Sequence, residues 1–133
     1  MYKRIVITAA IFGIFAVVFG AFAAHGLKSK ISALELVTWR TAVEYQFYHV
    51  FALLFLGSIA RTGDKLINWS YWFFTIGIIL FSGSLYLIAA KNLLSLNEIS
   101  VIGPLTPVGG LFFIAGWFCL LFSTFKNTNA GIK

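Results

Sequence analysis

Residues 39–49 read W-R-T-A-V-E-Y-Q-F-Y-H and run straight into the apolar stretch V-F-A-L-L-F-L. Arg40, Thr41, Glu44, Tyr45, Gln46, Tyr48 and His49 thus gather among aromatic rings in a chain that otherwise avoids polar side chains. A carboxylate and an imidazole can together move a proton or hold a metal ion. Arg40 and Glu44 are four residues apart, so a helix puts them on one face, where they can neutralise each other. His49 follows Glu44 by about one and a half turns. The other histidine, His25, closes an earlier apolar run. An antiparallel helix pair would bring His25 to the membrane side of His49. The expectation is one leaflet holding two His, one Glu, one Arg and several Tyr.

Four chemistries suit such a cluster. Two histidines on facing helices at one depth can ligate a haem. Two histidines with Glu44 can hold a divalent metal. Glu44 can titrate in a small oligomeric carrier, since ionisable groups at membrane depth mark such pathways. The fourth use is structural: a hydrogen-bonded network that fixes the bend between two helices, with polar contacts acting as modest glue. The structural use leads, because no haem motif accompanies the histidines and Glu44 sits near the mouth of its helix. No nucleophile–base pair and no phosphate-binding loop after a strand is present. The expectation is a protein that is not an enzyme and carries no cofactor and no metal.

The elements that must position these groups follow from composition. The 133-residue chain is 60% hydrophobic and 11% charged, with fifteen Phe and four Trp. Soluble domains average about 25% charged residues. A domain this small leaves much of its surface exposed and could not hide so much apolar area from water. Lipid is the solvent that suits it. The net charge of +6 comes from basic residues scattered over every polar segment, which fits topology and anionic head groups rather than nucleic acid. The lone Cys119 lies in an apolar run and reads as a packing residue.

Continuous apolar runs of this length must be helices, because unpaired backbone cannot cross lipid. The fold class is therefore an all-α integral membrane four-helix bundle in one domain, with spans at about 5–24, 42–60, 69–90 and 105–125. Ser32-Ala33-Leu34-Glu35 has the form of a capping box, and no Gly or Pro follows until Gly57. One helix from about Ala33 to Ala60 is expected, its polar front third an amphipathic extension at the interface, with Trp39 as an anchor. Arg61–Lys65 is a tight turn, and Lys91–Gly103, with Asn92, Ser95, Asn97, Glu98 and Ser100, is a polar connection. Pro104 and Pro107 set the start of the last helix. The first apolar run is longer than a signal peptide's core, which is about 7–15 residues, so a retained helix is expected. Positive residues divide as Lys3, Arg4, Arg61, Lys65, Lys126 and Lys133 on the side of the termini, against Lys28, Lys30, Arg40 and Lys91 on the other. That favours cytoplasmic termini.

Helices in lipid associate where small residues allow close approach. The candidates are Ala16, Gly20 and Ala24 in the first span, Ser82, Gly83 and Ser84 in the third, and Gly116 in the fourth. The run G-P-L-T-P-V-G-G adds a second kind of candidate. Amides at that helix start, with Gly103, Thr106, Gly109 and Gly110, could hold a lipid phosphate. A rigid helix start is the plainer use.

Four blocks carry a resemblance: G-A-F-A-A-H-G-L-K at 20–28, T-A-V-E-Y-Q-F-Y-H at 41–49, L-F-S-G-S-L-Y-L at 80–87 and G-P-L-T-P-V-G-G-L at 103–111, followed by Gly116-Trp117. In this order they resemble the YgdD/YwdK-like family of small bacterial inner-membrane proteins, domain of unknown function 423, which has a eukaryotic transmembrane relative. The resemblance covers nearly the whole chain and implies a multi-pass plasma-membrane protein of four helices. It implies no activity. The function expected is a non-enzymatic accessory or assembly subunit, or a binder of lipid or a hydrophobic small molecule. The expected partners are membrane lipids and a homo-oligomer or larger membrane complex, without nucleic acid. The alternative is a small oligomeric carrier or a redox-linked protein, with haem or quinone, using His25, Glu44 and His49.

Overall fold

The computed structural model describes residues 2–61, 63–96 and 101–128, with side chains as far as residue 125. Thr62 of the tight turn, Asn97, Glu98 and Ser100 of the polar connection, and the charges of Lys126 and Lys133 lie outside the described residues. Four helices are long and apolar enough to cross a membrane: α1 (Tyr2–Leu27), α2 (Ala33–Ile59), α3 (Lys65–Ala90) and α4 (Leu105–Thr128).

Local chemistry accounts for their limits. The capping box at the start of α2 is closed in both directions. The Glu35 N–H donates to Ser32 Oγ at 3.2 Å, and the Ser32 N–H donates to the Glu35 carboxylate at 2.8 Å. Those donors hold the exposed Glu35 carboxyl below its ordinary pKa. Asp64 caps α3 by accepting from the N–H groups of Leu66 and Ile67, so α3 starts four residues before the expected span. Gly63 takes φ +86° in the turn, where a side chain would be strained. Pro107 falls in the first turn of α4, where its missing N–H leaves no helix bond unmade. Two helices carry a π-type turn, α1 at Ala23–Leu27 and α3 at Ile78–Ser82.

Consecutive helices run antiparallel. In α1 and α2, Gly57 lies beside Val6 and Gly20 beside Val43. In α3 and α4, Ser84 meets Thr106 and Ser70 meets Gly116. α1 packs along α2, α3 along α4, and α2 meets the second half of α3. Among the described residues no packed seam joins α1 to α4. Half of the α2 window is buried but under a fifth of the α1 window, so α2 and α3 form the centre and α1 and α4 the flanks.

The core divides into two clusters. Ile5, Leu53, Leu56, Ile67 and Phe74 fill the end that holds the start of α1. Ala23, Leu27, Trp39, Val43 and Ala89 fill the other, with Phe19 and Tyr86 against them. Trp39 is therefore a core residue rather than the expected anchor. The outward faces carry Ile14, Val17, Phe51, Leu111, Phe118 and Phe122, while Ser70, Ser82, Ser84 and Ser123 are buried. Large apolar groups outside and small or polar groups inside are what lipid favours.

Candidate functional site

The polar groups of the central helices form seams between elements. Gln46, almost wholly buried, joins three helices: its amide donates to the Phe12 carbonyl of α1 at 2.7 Å, and its carbonyl accepts from the Tyr86 hydroxyl of α3 at 2.8 Å. One turn nearer the start of α2, Ser82 donates to the Ala42 carbonyl at 2.8 Å. The Trp39 indole donates to the Phe19 carbonyl at 2.9 Å. Carbonyls already bonded within their own helices have a second lone pair for such contacts.

His49 is buried on the other face of α2. Its ring lies flat on Phe113, 3.4 Å between centroids and 5° between planes. The Trp117 indole points its N–H at Nε2 from 3.3 Å. Indole can only donate, so Nε2 presents a lone pair and Nδ1 carries the proton. The Tyr45 carbonyl, 2.8 Å from Nδ1, is the acceptor that this tautomer needs. Both ring nitrogens are occupied in a neutral imidazole, which leaves no free lone pair for a metal.

The expected cluster of His25 with His49 does not form. Leu27 and Ala23 pack in the same core cluster as Trp39, so His25 lies level with the start of α2, exposed to the outside. With Gly20 beside Val43, His25 falls opposite Thr38, so His49 is about 16 Å further along, by 11 residues of helix rise. The antiparallel pairing that was to unite the two histidines separates them, because the π-turn of α1 meets α2 near its first turns rather than near His49. The bis-histidine haem arrangement and the two-histidine metal set lose their geometry. Among the described residues no group of three or more His, Cys, Asp or Glu gathers.

The remaining residues fall into separate places. Thr41 donates to the Val37 carbonyl of its own helix at 3.0 Å. Tyr45 packs its ring on Phe81, 4.6 Å between centroids, and Tyr48 is largely exposed. Arg40 and Glu44 line a groove of about 180 Å³ with Gly20, Ala23, Ala24 and Val43. Gly103 is exposed, and the Thr106 hydroxyl is 2.6 Å from that of Ser84. A Cβ on Gly109 would come within 2.4 Å of the Phe81 backbone nitrogen. Thr106 and Gly109 thus face α3 rather than a phosphate cradle, with Gly110 beside the Phe81 ring. Ala16 is buried, Ala24 is exposed, and Gly116 admits the Phe74 ring. Gly83 meets nothing within 4 Å.

That last observation marks a lateral crevice. About 280 Å³ lies between α1 and α3, walled by Phe12, Phe15, Phe19, Ile78, Ile79 and Gly83, with Gln46 and Tyr86 also lining it. It exists because α1 leans on α2 and leaves α3 uncovered beside the π-turn Ile78–Ser82. Sequence reasoning passed over Trp117, Phe113 and Ser70, since a Trp, a Phe and a Ser inside apolar runs look like ordinary span residues. Their only signal is the four-residue spacing of Phe113 and Trp117, which lets both reach one facing side chain.

Four antiparallel apolar helices, tied by hydrogen bonds between neighbouring spans, define a polytopic α-helical membrane protein. The family described as "Protein of unknown function (DUF423)" matches residues 19–110, and the chain belongs to that family. It is 43% identical over 124 residues to a UPF0382 membrane protein of Staphylococcus haemolyticus, covering 93% of this chain and 97% of that one. It is 45% identical over the same length to a UPF0382 membrane protein of Staphylococcus aureus, with the same coverage. A relative in Staphylococcus saprophyticus is 44% identical, covering 93% of this chain and 98% of its own. No solved structure matches.

Proposed function

We propose that this multi-pass membrane protein acts without enzymatic chemistry, holding a lipid chain or a hydrophobic small molecule in the crevice between α1 and α3. The carrying observation is the crevice itself: three Phe rings, two Ile and a bare glycine around about 280 Å³. Ligand sites are concave, mostly apolar and oriented by few polar groups. Here those groups are Gln46 and Tyr86. The Gln46 amide keeps one N–H beyond the one given to Phe12, and the Tyr86 oxygen keeps lone pairs after donating. A carbonyl- or hydroxyl-bearing apolar molecule suits that pair better than a plain hydrocarbon. The protein is placed in the plasma membrane with both termini cytoplasmic, as an accessory or assembly subunit whose ligand enters sideways from the bilayer.

Gly83 supplies the test. Nothing lies within 4 Å of a Cβ there, and a helix gains stability when glycine is replaced. Gly83→Leu is therefore expected to fold normally and fill the crevice. Native mass spectrometry from mild detergent should show an apolar adduct on the unaltered protein and lose it in Gly83→Leu. Absence of any adduct on the unaltered protein, or equal retention in both, overturns the reading.

A further inference from the structure

The groove around Arg40 and Glu44 lies on the far side of the α1–α2 pair from the crevice. Its depth is the key fact. Val43 touches Gly20, so in the antiparallel pair Glu44 lies level with Phe19, inside the uncharged Ile5–Ala24 run. It sits roughly 7 Å below the end of that run, five residues at 1.5 Å each. Yet Glu44 is exposed on the outer face of α2, as are Arg40 one turn above and Tyr48 one turn below. Among the described residues neither charge has a hydrogen bond or an ion pair. Charged groups at such depth are costly and are expected to face protein or a water-filled cavity rather than lipid.

We propose that this face is covered by a second copy of the chain, related by a two-fold axis along the membrane normal. The charge pattern is self-complementary under that operation. Two parallel copies of α2 meeting along this face set each Arg40 one turn above the Glu44 of the partner subunit. Two ion pairs then form by symmetry, as in any isologous contact. The groove floor is Gly20, Ala23 and Ala24, whose small side chains leave room for a neighbour. Tyr48 and Thr41 flank the charges and would be covered with them. A phospholipid headgroup carries complementary charges too, but Glu44 lies below the headgroup layer, so a protein partner fits the depth better. The uncharged lower face, with Phe51 and Phe55, splays toward lipid or closes as the dimer tilts.

The test is subunit number in lipid vesicles, read by energy transfer and single-molecule photobleaching over a range of protein-to-lipid ratios. The unaltered protein should count two subunits. Arg40→Gln and Glu44→Gln should each weaken association roughly three- to thirtyfold, the range of polar contacts between membrane helices. The double exchange Arg40→Glu with Glu44→Arg should restore it, since the cross-pairs re-form with signs reversed. Both positions are exposed, so helical circular dichroism should match in all variants. A single subunit at every ratio overturns the proposal, as does a dimer that neither single substitution weakens. A single-subunit protein that loses a bound phospholipid in Arg40→Gln would assign the groove to lipid instead.

Discussion

Gln46 shows most directly what a polar side chain does in this fold. It bonds to α1 through its N–H and to α3 through its carbonyl, so α2 holds both neighbours at one residue. Gln46→Leu conserves volume but leaves the Tyr86 hydroxyl without its acceptor and frees the α1 carbonyl. Hydrogen bonds between membrane helices average about 0.6 kcal/mol and reach about 1.7. Loss of two, with a stranded hydroxyl, is expected to cost about 1–2 kcal/mol. Denaturant unfolding in detergent micelles measures it, and a change below the measurement error would remove Gln46 from the structural frame. Tyr86→Phe should cost less, because Gln46 keeps its bond to Phe12. At this scale the sequence was partly legible. The gathering of Gln46, Tyr45 and His49 in residues 39–49 was plain, but their partners were not. Hydrogen bonds to the carbonyls of Phe12, Phe19 and Ala42 leave no trace in the partner's side chain. Trp39 shows the same limit: an indole at the mouth of a span could anchor in head groups or turn inward to a carbonyl, and only the neighbouring helix decides.

Elements meet most closely at α3 and α4. The π-turn Ile78–Ser82 coincides with the place where the Phe81 backbone comes closest to Gly109. A methyl group at Gly109 would lie 2.4 Å from the Phe81 nitrogen and 2.8 Å from its Cα. Backbone on both sides cannot yield as a flexible side chain would. Gly109→Ala is therefore expected to separate the helices or bend α4, destabilising the bundle by about 2 kcal/mol, within the range for overpacking. Gly20→Ala is the control. Its Cβ would meet Val43 Cγ1 at 3.5 Å, ordinary contact, so the gain in helix propensity should leave stability unchanged or raised by up to about 1 kcal/mol. Thermal unfolding of the two variants side by side separates them; equal losses would show that α3 and α4 tolerate a wider seam. The helices themselves were legible in the apolar runs, the capping box and the prolines. The π-turns were not, because Ala23–Leu27 and Ile78–Ser82 carry no Pro to announce them. Nor could small residues alone say which would pack: Gly109 and Gly116 do, whereas Gly83 of the Ser-Gly-Ser triplet faces the open crevice.

The whole molecule must also choose a direction in the membrane. Its antiparallel helices place the start of α1, the turn between α2 and α3, and the end of α4 at one end of the bundle. That end is tied by Arg4, which donates to Asn68 at 2.6 Å and lies over the rings of Tyr71 and Trp72, at 4.7 and 5.5 Å. Cation–ring contacts of this kind contribute about 0.5–1 kcal/mol at exposed sites, so Arg4 is both a topology charge and a clamp of α1 on α3. The exposed Trp69 and Trp72 beside it suit the headgroup layer. At the other end Asn92 donates to the Glu35 carboxylate, so the start of α2 carries a carboxylate there that the opposite turn answers only with the capping Asp64. Acidic groups count little in setting direction, and Lys and Arg dominate. Among the described residues Lys3, Arg4, Arg61 and Lys65 fall at the end holding the start of α1, and Lys28, Lys30, Arg40 and Lys91 toward the other. The sequence adds Lys126 and Lys133 beyond the last span, a six-to-four division that predicts cytoplasmic termini. Arg40 weakens the outer four further, because it lies along the span rather than in a loop. In a Cys119→Ser background, a single cysteine at Lys91→Cys should react with a membrane-impermeant maleimide on intact cells. One at Lys65→Cys should react only after the cells are opened. The reverse pattern would place the termini outside, and equal reaction at both positions in intact cells would mean that the chain inserts both ways, a margin of two charges being too small to decide.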